Sequence, residues 1–310
     1  MTRSVLACAG MDKSYGSLAR EVALLASEAL QCEIVCPTLS NIAPTRYKRT
    51  LDESILIVID GCPTRCAGKL AGQIGARIDR RLLLVDILKS YGTTLDPSLR
   101  LDSHGIELAQ RIVADLVLDI TSRSVATDER SSLEVPAEYL KVTHDKFQFQ
   151  IPARDYSLII PCSGIGKVHG LIGREATYMI VDELAPQQTE TLCLALLVKG
   201  DADAVTAVQS HSCITIDGCP KACAQKNVEM AGGTVTSAVR VVDVVKAHRG
   251  AQPGSASGLK HDGWAMAREL AESVAVTLTG INLDQPPPGL AGSTHYTPRA
   301  PQVRPGSSGL

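Results

Sequence analysis

The sequence predicts an α/β protein of two similar domains, each a mainly parallel sheet with helices on both faces, Rossmann-like in plan. Two observations predict it. Short apolar runs of strand length alternate with longer amphipathic runs of helix length, the signature of a parallel sheet covered by helices. The alternation also occurs twice, because the chain is an internal duplication. The segment Ile59-Asp60-Gly61-Cys62-Pro63-Thr64-Arg65-Cys66-Ala67 returns 157 residues later as Ile216-Asp217-Gly218-Cys219-Pro220-Lys221-Ala222-Cys223-Ala224.

Each element follows from its own residues. Residues 4–7 read as a strand, and 16–30 as a helix with Leu18, Val22, Leu25 and Ala29 along one face. Residues 33–35 form a second short strand. The β-branched run 54–59 between polar flanks is a buried strand. Pro63 suits the first position of a helix, where its missing N–H costs nothing, so a helix is predicted from there. A strand over 81–85 and an amphipathic helix over 104–118 close the half. The second half repeats the plan with strands at 157–160, 214–216 and 239–242. Its helices fall at 170–184, from Pro220 and over 263–278.

The domain boundaries are placed at 1–122 and 155–281. Residues 123–154 form a linker: the stretch 121–136 is rich in Ser, Thr and charge, and 139–151 alternate in β fashion and are expected to add an edge strand. Residues 282–310, rich in Pro, Gly and Ser, are expected to be a disordered tail. Residues 252–258 read as a loop insertion.

Composition excludes several classes of function. The 310 residues are 45% hydrophobic and 21% charged, with a formal net charge of −2, so the chain carries no global attraction for nucleic acid or anionic lipid. Aromatic residues make up 3%, too few for base-stacking platforms. No apolar run is long enough to cross a bilayer, so no membrane insertion is expected, and residues 1–6 lack a signal-peptide pattern. A cytoplasmic protein is the expectation. Ten cysteines in such a chain point to metal or redox chemistry rather than to disulfides.

Eight of the ten recur in the repeat. Cys36 precedes Cys62 by 26 residues, as Cys193 precedes Cys219. Cys8-Ala9-Gly10 aligns with Cys162-Ser163-Gly164, and Arg20-Glu21 with Arg174-Glu175. Cys8, Cys36, Cys62 and Cys66, and in the other half Cys162, Cys193, Cys219 and Cys223, are therefore the candidate metal ligands. Cys8, Cys36 and Cys62 follow strands whose carboxyl ends share one edge of an open parallel sheet, where ligands bind; Cys193 differs from Cys36 in preceding an apolar run, 194–198, rather than a proline. The spacing of Cys62 and Cys66 places both on one helix face. Gly61 and Gly218 permit the tight turn, and Asp60 and Asp217 accept N–H bonds that hold the loop in shape. Lys13 and Lys167, just before a helix, read as anion-binding positions or as charges balancing thiolates; four thiolates on one Zn²⁺ leave a net charge of about −2. Arg20-Glu21 and Arg174-Glu175 read as helix-surface pairs or sheet contacts. Asp86 and Asp243 read as caps. Cys32 and Cys213, unpaired in the repeat, read as small buried residues.

With these residues the chain resembles two tandem copies of the DGC domain, a family of zinc-binding proteins named for its Asp-Gly-Cys motif. The resemblance covers most of 1–122 and 155–281 and implies four metal-binding cysteines per domain. It supplies no reaction. The expected function is therefore metal binding by a four-cysteine site in each domain, with zinc as the ion and a structural, storage or delivery role. An iron–sulfur electron carrier or metalloenzyme, and a thiol relay carrying sulfur or electrons, stay open as alternatives. Metal ions are the expected partners, with a protein partner left unidentified. No Ser/His/Asp constellation or paired catalytic carboxylate names an organic substrate. Because each half keeps a full set of four, two separate sites are expected, each complete within its own half.

Overall fold

The computed structural model describes residues 2–8, 10–11, 13–123 and 156–279. The expected linker strand at 139–151 and the tail at 282–310 lie outside these residues.

The first half builds one four-stranded, all-parallel sheet from β1 (Arg3–Ala7), β2 (Glu33–Val35), β3 (Ile55–Asp60) and β4 (Arg80–Leu83), in the spatial order β2-β1-β3-β4. The second half repeats it with β5 (Ser157–Pro161), β6 (Thr189–Thr191), β7 (Ser212–Asp217) and β8 (Thr234–Arg240), in the order β6-β5-β7-β8. Parallel neighbours need crossover connections, and helices between the strands supply them, with two further helices after the last strand of each half. In the first half these are α1 (Ser14–Leu30), α2 (Pro37–Ile42), α3 (Lys48–Glu53), α4 (Cys66–Gln73), α5 (Leu84–Ser90) and α6 (Ser103–Arg123). In the second they are α7 (Val168–Met179), running on into one π turn (Ile180–Leu184), then α8 (Leu194–Val198), α9 (Ala202–Ser210), α10 (Cys223–Met230), α11 (Val241–Ala247) and α12 (His261–Thr279).

Each sheet is covered on both faces. Along a strand, successive side chains point to opposite faces. In the second sheet Ile159, Ile214 and Ile216 face α7 and α12 and form a core with Ile172, Met266 and Leu270. Leu158, Ile160 and Cys213 point the other way and join a core that also contains Val5, Leu18, Ile57 and Ile112 of the first half. One continuous apolar core therefore runs through both halves. All thirteen of the residues just named are 3% exposed or less, so neither half can leave without exposing apolar surface.

Two expectations need correction. The strand predicted over 81–85 ends at Leu83, and α5 begins at Leu84; the one predicted over 239–242 is the end of β8, which stops at Arg240, and α11 begins at Val241. The helices predicted from Pro63 and Pro220 begin three residues later, at Cys66 and Cys223. Arg65 and Ala222, just before them, have φ of 51° and 52°. A left-handed residue at that point turns the chain before the helix begins, and neither residue is a glycine that would have announced it.

Candidate metal centre

The site grows from strand ends. At the end of β1 the Cys8 N–H donates to the Ile59 carbonyl at 2.8 Å, and at the end of β5 the Cys162 N–H donates to Ile216 at 2.9 Å. The loop after Cys8 folds back on the first turn of α1, so closely that a Cβ on Gly16 would lie 2.6 Å from the Gly10 Cα. The matching approach of Gly170 to Gly164 is tighter still. β3 ends at Asp60, and Gly61 passes against the Tyr15 carbonyl, where a Cβ would sit at 2.4 Å. The chain then closes a turn in which Arg65 N–H donates to the Cys62 carbonyl at 3.1 Å.

The aspartates hold this turn to its helix. Asp60 accepts from Ala67 N–H at 2.8 Å and Gly68 N–H at 3.1 Å; Asp217 accepts from Ala224 and Gln225 at the same two distances. Two of the free N–H groups of each helix's first turn are thereby satisfied by one buried carboxylate. Burial pushes Asp60 up to about 6, opposed by those two N–H bonds and by Arg65 and Arg81.

The sulfurs meet in two sets. In the first, the Cys66 and Cys8 thiols are hydrogen-bonded. That bond, then burial, then the proximity of Cys8, Cys193 and Cys62 hold Cys66 well above the ordinary thiol range. Cys193 comes from the other half. It packs against Cys66 and Ala195 in an apolar cluster edged by Leu196. A Cβ placed on Gly10 would lie 3.5 Å from Cys8 Sγ and 3.7 Å from Cys193 Sγ, so this glycine leaves a cradle bounded by sulfur from both halves. Burial raises Cys62 as well, against the pull of Thr64 and of Lys13.

In the second set, Cys162 Sγ accepts the Gly218 N–H at 3.1 Å. Cys36, from the first half, lies with its Sγ 3.2 Å from Ser163 Oγ and 3.3 Å from Thr38 Oγ1, and those two hydroxyls are 3.0 Å apart. Burial pushes Cys223 up to about 12, helped by Cys36, Asp217 and Cys219. Cys162 is raised by burial first, then by Asp217, Cys36 and Cys223.

The expectation that each half gathers its own four sulfurs is corrected here. The structure groups Cys8, Cys62 and Cys66 with Cys193, and Cys162, Cys219 and Cys223 with Cys36. The physical reason is where α2 and α8 go. Cys36 and Cys193 are the residues just before these helices. α2 packs on α10 and α8, and α8 packs on α4 as well as on α10. Asn227 of α10 clasps the exchanged helix: it donates to the Thr38 carbonyl at 3.4 Å and accepts from Asn41 at 2.6 Å. Among the described residues, no group of three or more His, Cys, Asp or Glu side chains stands so that it could hold a metal ion. The sulfurs are neighbours rather than a finished coordination sphere.

The other candidates fall into place around these sets. Lys13 and Lys167 are the extended residues preceding α1 and α7, and Lys13 is near enough to Cys62 to favour its thiolate. Arg20, Glu21, Arg174 and Glu175 are not surface pairs: all four are 8% exposed or less. Arg174 donates to the Gly10 carbonyl at 2.9 Å and to Ser17 Oγ at 2.7 Å, across the junction of the halves, and Glu175 pairs with Arg100 at 2.8 Å. Asp86 and Asp243 make surface ion pairs with Lys89 and Lys246. Cys32 and Cys213 are buried. Sequence reasoning missed Ser163, Thr38 and Asn227. Ser163 stands next to a candidate ligand and was the one available signal.

A two-domain parallel α/β protein with paired thiol clusters at its domain junction is what fold and site define. The chain belongs to the DGC family: the DGC domain matches residues 4–117 and again 158–259. No curated protein matches it.

Proposed function

We propose that this chain binds metal through its two thiol clusters, with zinc as the ion and a structural, storage or delivery role. The observation that supports this most is the first cluster: a Cys66–Cys8 hydrogen bond with Cys62 and Cys193 as the next sulfur neighbours. Burying several thiols side by side raises each of them, which is costly for free thiolates. A divalent cation reverses that cost, because thiolates are its ligands. The donor chemistry fits a soft or borderline metal, and the cradle at Gly10 leaves space beside two of the sulfurs. All ten cysteines are free thiols, as metal binding in a reducing compartment requires. Cys62 in the first cluster, and Cys219 and Cys36 in the second, are only half buried and offer a route for exchange.

The residues that would hold the ion are Cys8, Cys62 and Cys66, and Cys162, Cys219 and Cys223, joined by the two cysteines of the exchanged helices. Asp60 and Asp217 fix the turns that carry Cys62 and Cys219, and Lys13 offsets thiolate charge. The raised thiols count against a relay that depends on free thiolates at neutral pH.

Elemental analysis and an absorption spectrum of anaerobically purified full-length protein test this. Zinc at about two ions per chain, with no visible colour, is the expected result. Iron with a visible charge-transfer band would replace zinc by a cluster. No metal, together with full reactivity of the thiols to a maleimide after chelation and before it alike, would overturn metal binding.

A further inference from the structure

We infer that each metal site is completed by a cysteine from the other half, so that two reciprocal four-sulfur sites bolt the halves of one chain together. The inference rests on the metal-binding reading above and goes beyond it in assigning the fourth ligand, Cys193 to the first site and Cys36 to the second.

The contacts point one way. Cys193 packs on Cys66, and its sulfur shares the Gly10 cradle with Cys8. Cys36 lies against Ser163, the residue that follows Cys162. Each of these cysteines stands at the start of a helix that packs on the Cys-bearing helix of the opposite half: α8 on α4 and α2 on α10. Asn41 and Asn227 tie α2 to α10 with a 2.6 Å bond, and Arg174 bonds Gly10 from the other side of the junction. A single continuous core joins the halves behind the sulfurs. These contacts therefore favour crossed over uncrossed ligation. Two metal ions held this way would each close a loop between the halves, and removing the metal would loosen the junction more than the interior of either sheet.

Two measurements on the full chain decide it. The first needs no metal. Reduced, chelator-treated protein is treated with the short thiol cross-linker dibromobimane and mapped by peptide mass spectrometry. Cys36 should link to Cys162 or Cys223, and Cys193 to Cys8 or Cys66. Links from Cys36 to Cys8, Cys62 or Cys66, or no link from Cys36 and Cys193 at all, would overturn the crossing. The second counts zinc in a Cys62→Ser background, which should lower the content from about two ions per chain to about one. Adding Cys193→Ser should remove no more, because it strikes the same site. Adding Cys36→Ser should remove the remaining ion. The reverse pattern overturns the crossing while keeping metal binding. A wild-type chain that takes up no zinc overturns the metal reading and the bolt with it, even if the cross-links run between halves.

Discussion

Asp60 and Asp217 show how much one residue can fix. Each satisfies two backbone N–H groups at the start of a Cys-bearing helix from a buried position. Replacing either with Ala leaves those donors without an acceptor, and a buried unsatisfied donor costs about 1–3 kcal/mol. Asp60→Ala and Asp217→Ala should each destabilise the chain by about 2–4 kcal/mol in urea unfolding. This role was legible in the sequence, because an Asp one residue before a Gly-Cys-Pro turn has little else to do. Ser163 was legible only as the neighbour of a candidate ligand, since no sequence signal says that a cysteine from 127 residues away will lie against its hydroxyl. Ser163→Ala removes contacts to both Cys36 and Thr38 and should cost about 1 kcal/mol. Its effect on metal should fall on the second cluster alone, read as weaker zinc retention against a chelator. Cys213 makes a pH prediction. Burial pushes its thiol up to about 11 from an ordinary value of 9.0. The folded chain keeps that proton where the unfolded chain gives it up, so stability is intact below about pH 9 and falls as pH rises towards 11. Denaturation midpoints at pH 8 and pH 10 should differ less in Cys213→Ala than in the wild type.

At the scale of elements, the strands were the readable part. Val5, Leu56, Ile57 and Val58 are fully or almost fully buried, and strands covered on both faces must be continuously apolar. The helix starts were misread for a reason of backbone geometry. The left-handed Arg65 and Ala222 carry ordinary side chains, so the three-residue delay after each proline left no mark. The short helices α2 and α8, of six and five residues, fall below the length at which periodicity can be recognised. The close crossing of the Cys-x-Gly loop over the first turn of its helix makes the sharpest test at this scale. A methyl on Gly170 would lie 2.2 Å from the Gly164 carbonyl oxygen, and no flexible side chain is there to yield. Gly170→Ala should cost about 3 kcal/mol or more, seen as a fall in thermal midpoint, because the loop bearing Cys162 must move. Gly72→Ala, where nothing lies within 4 Å, is the control and should leave stability unchanged or slightly raised.

For the whole molecule, a shared core predicts shared unfolding. Calorimetry should show one transition rather than two, although the chain holds two copies of one domain. Arg174→Met withdraws the guanidinium that bonds Gly10 and Ser17 across the junction. It should lower that single transition, and a split into two would show that the junction had come apart. The crossing of the sulfur sets was beyond the sequence for an arithmetical reason. Cys36 and Cys193 are separated by the same 157 residues as Cys62 and Cys219, and crossed and uncrossed sets give one and the same pattern of spacings. Only the paths of α2 and α8 distinguish them. The exchange of these two helices also bears on what a chain with a single copy could do. Lacking a second half, it would have no partner for its own Cys36 counterpart, and two identical molecules meeting face to face would close both clusters at once, as a symmetric dimer of like sites. Fusion into one polypeptide releases the copies from that sameness, since each can then mutate alone. Here the hydroxyls of Thr38 and Ser163 have Ala195 and Ala9 as their counterparts. The second cluster has two hydroxyls against Cys36 that the residues at the matching positions of the first cannot supply, so the two should fill at different metal concentrations, as two resolved steps in a zinc titration.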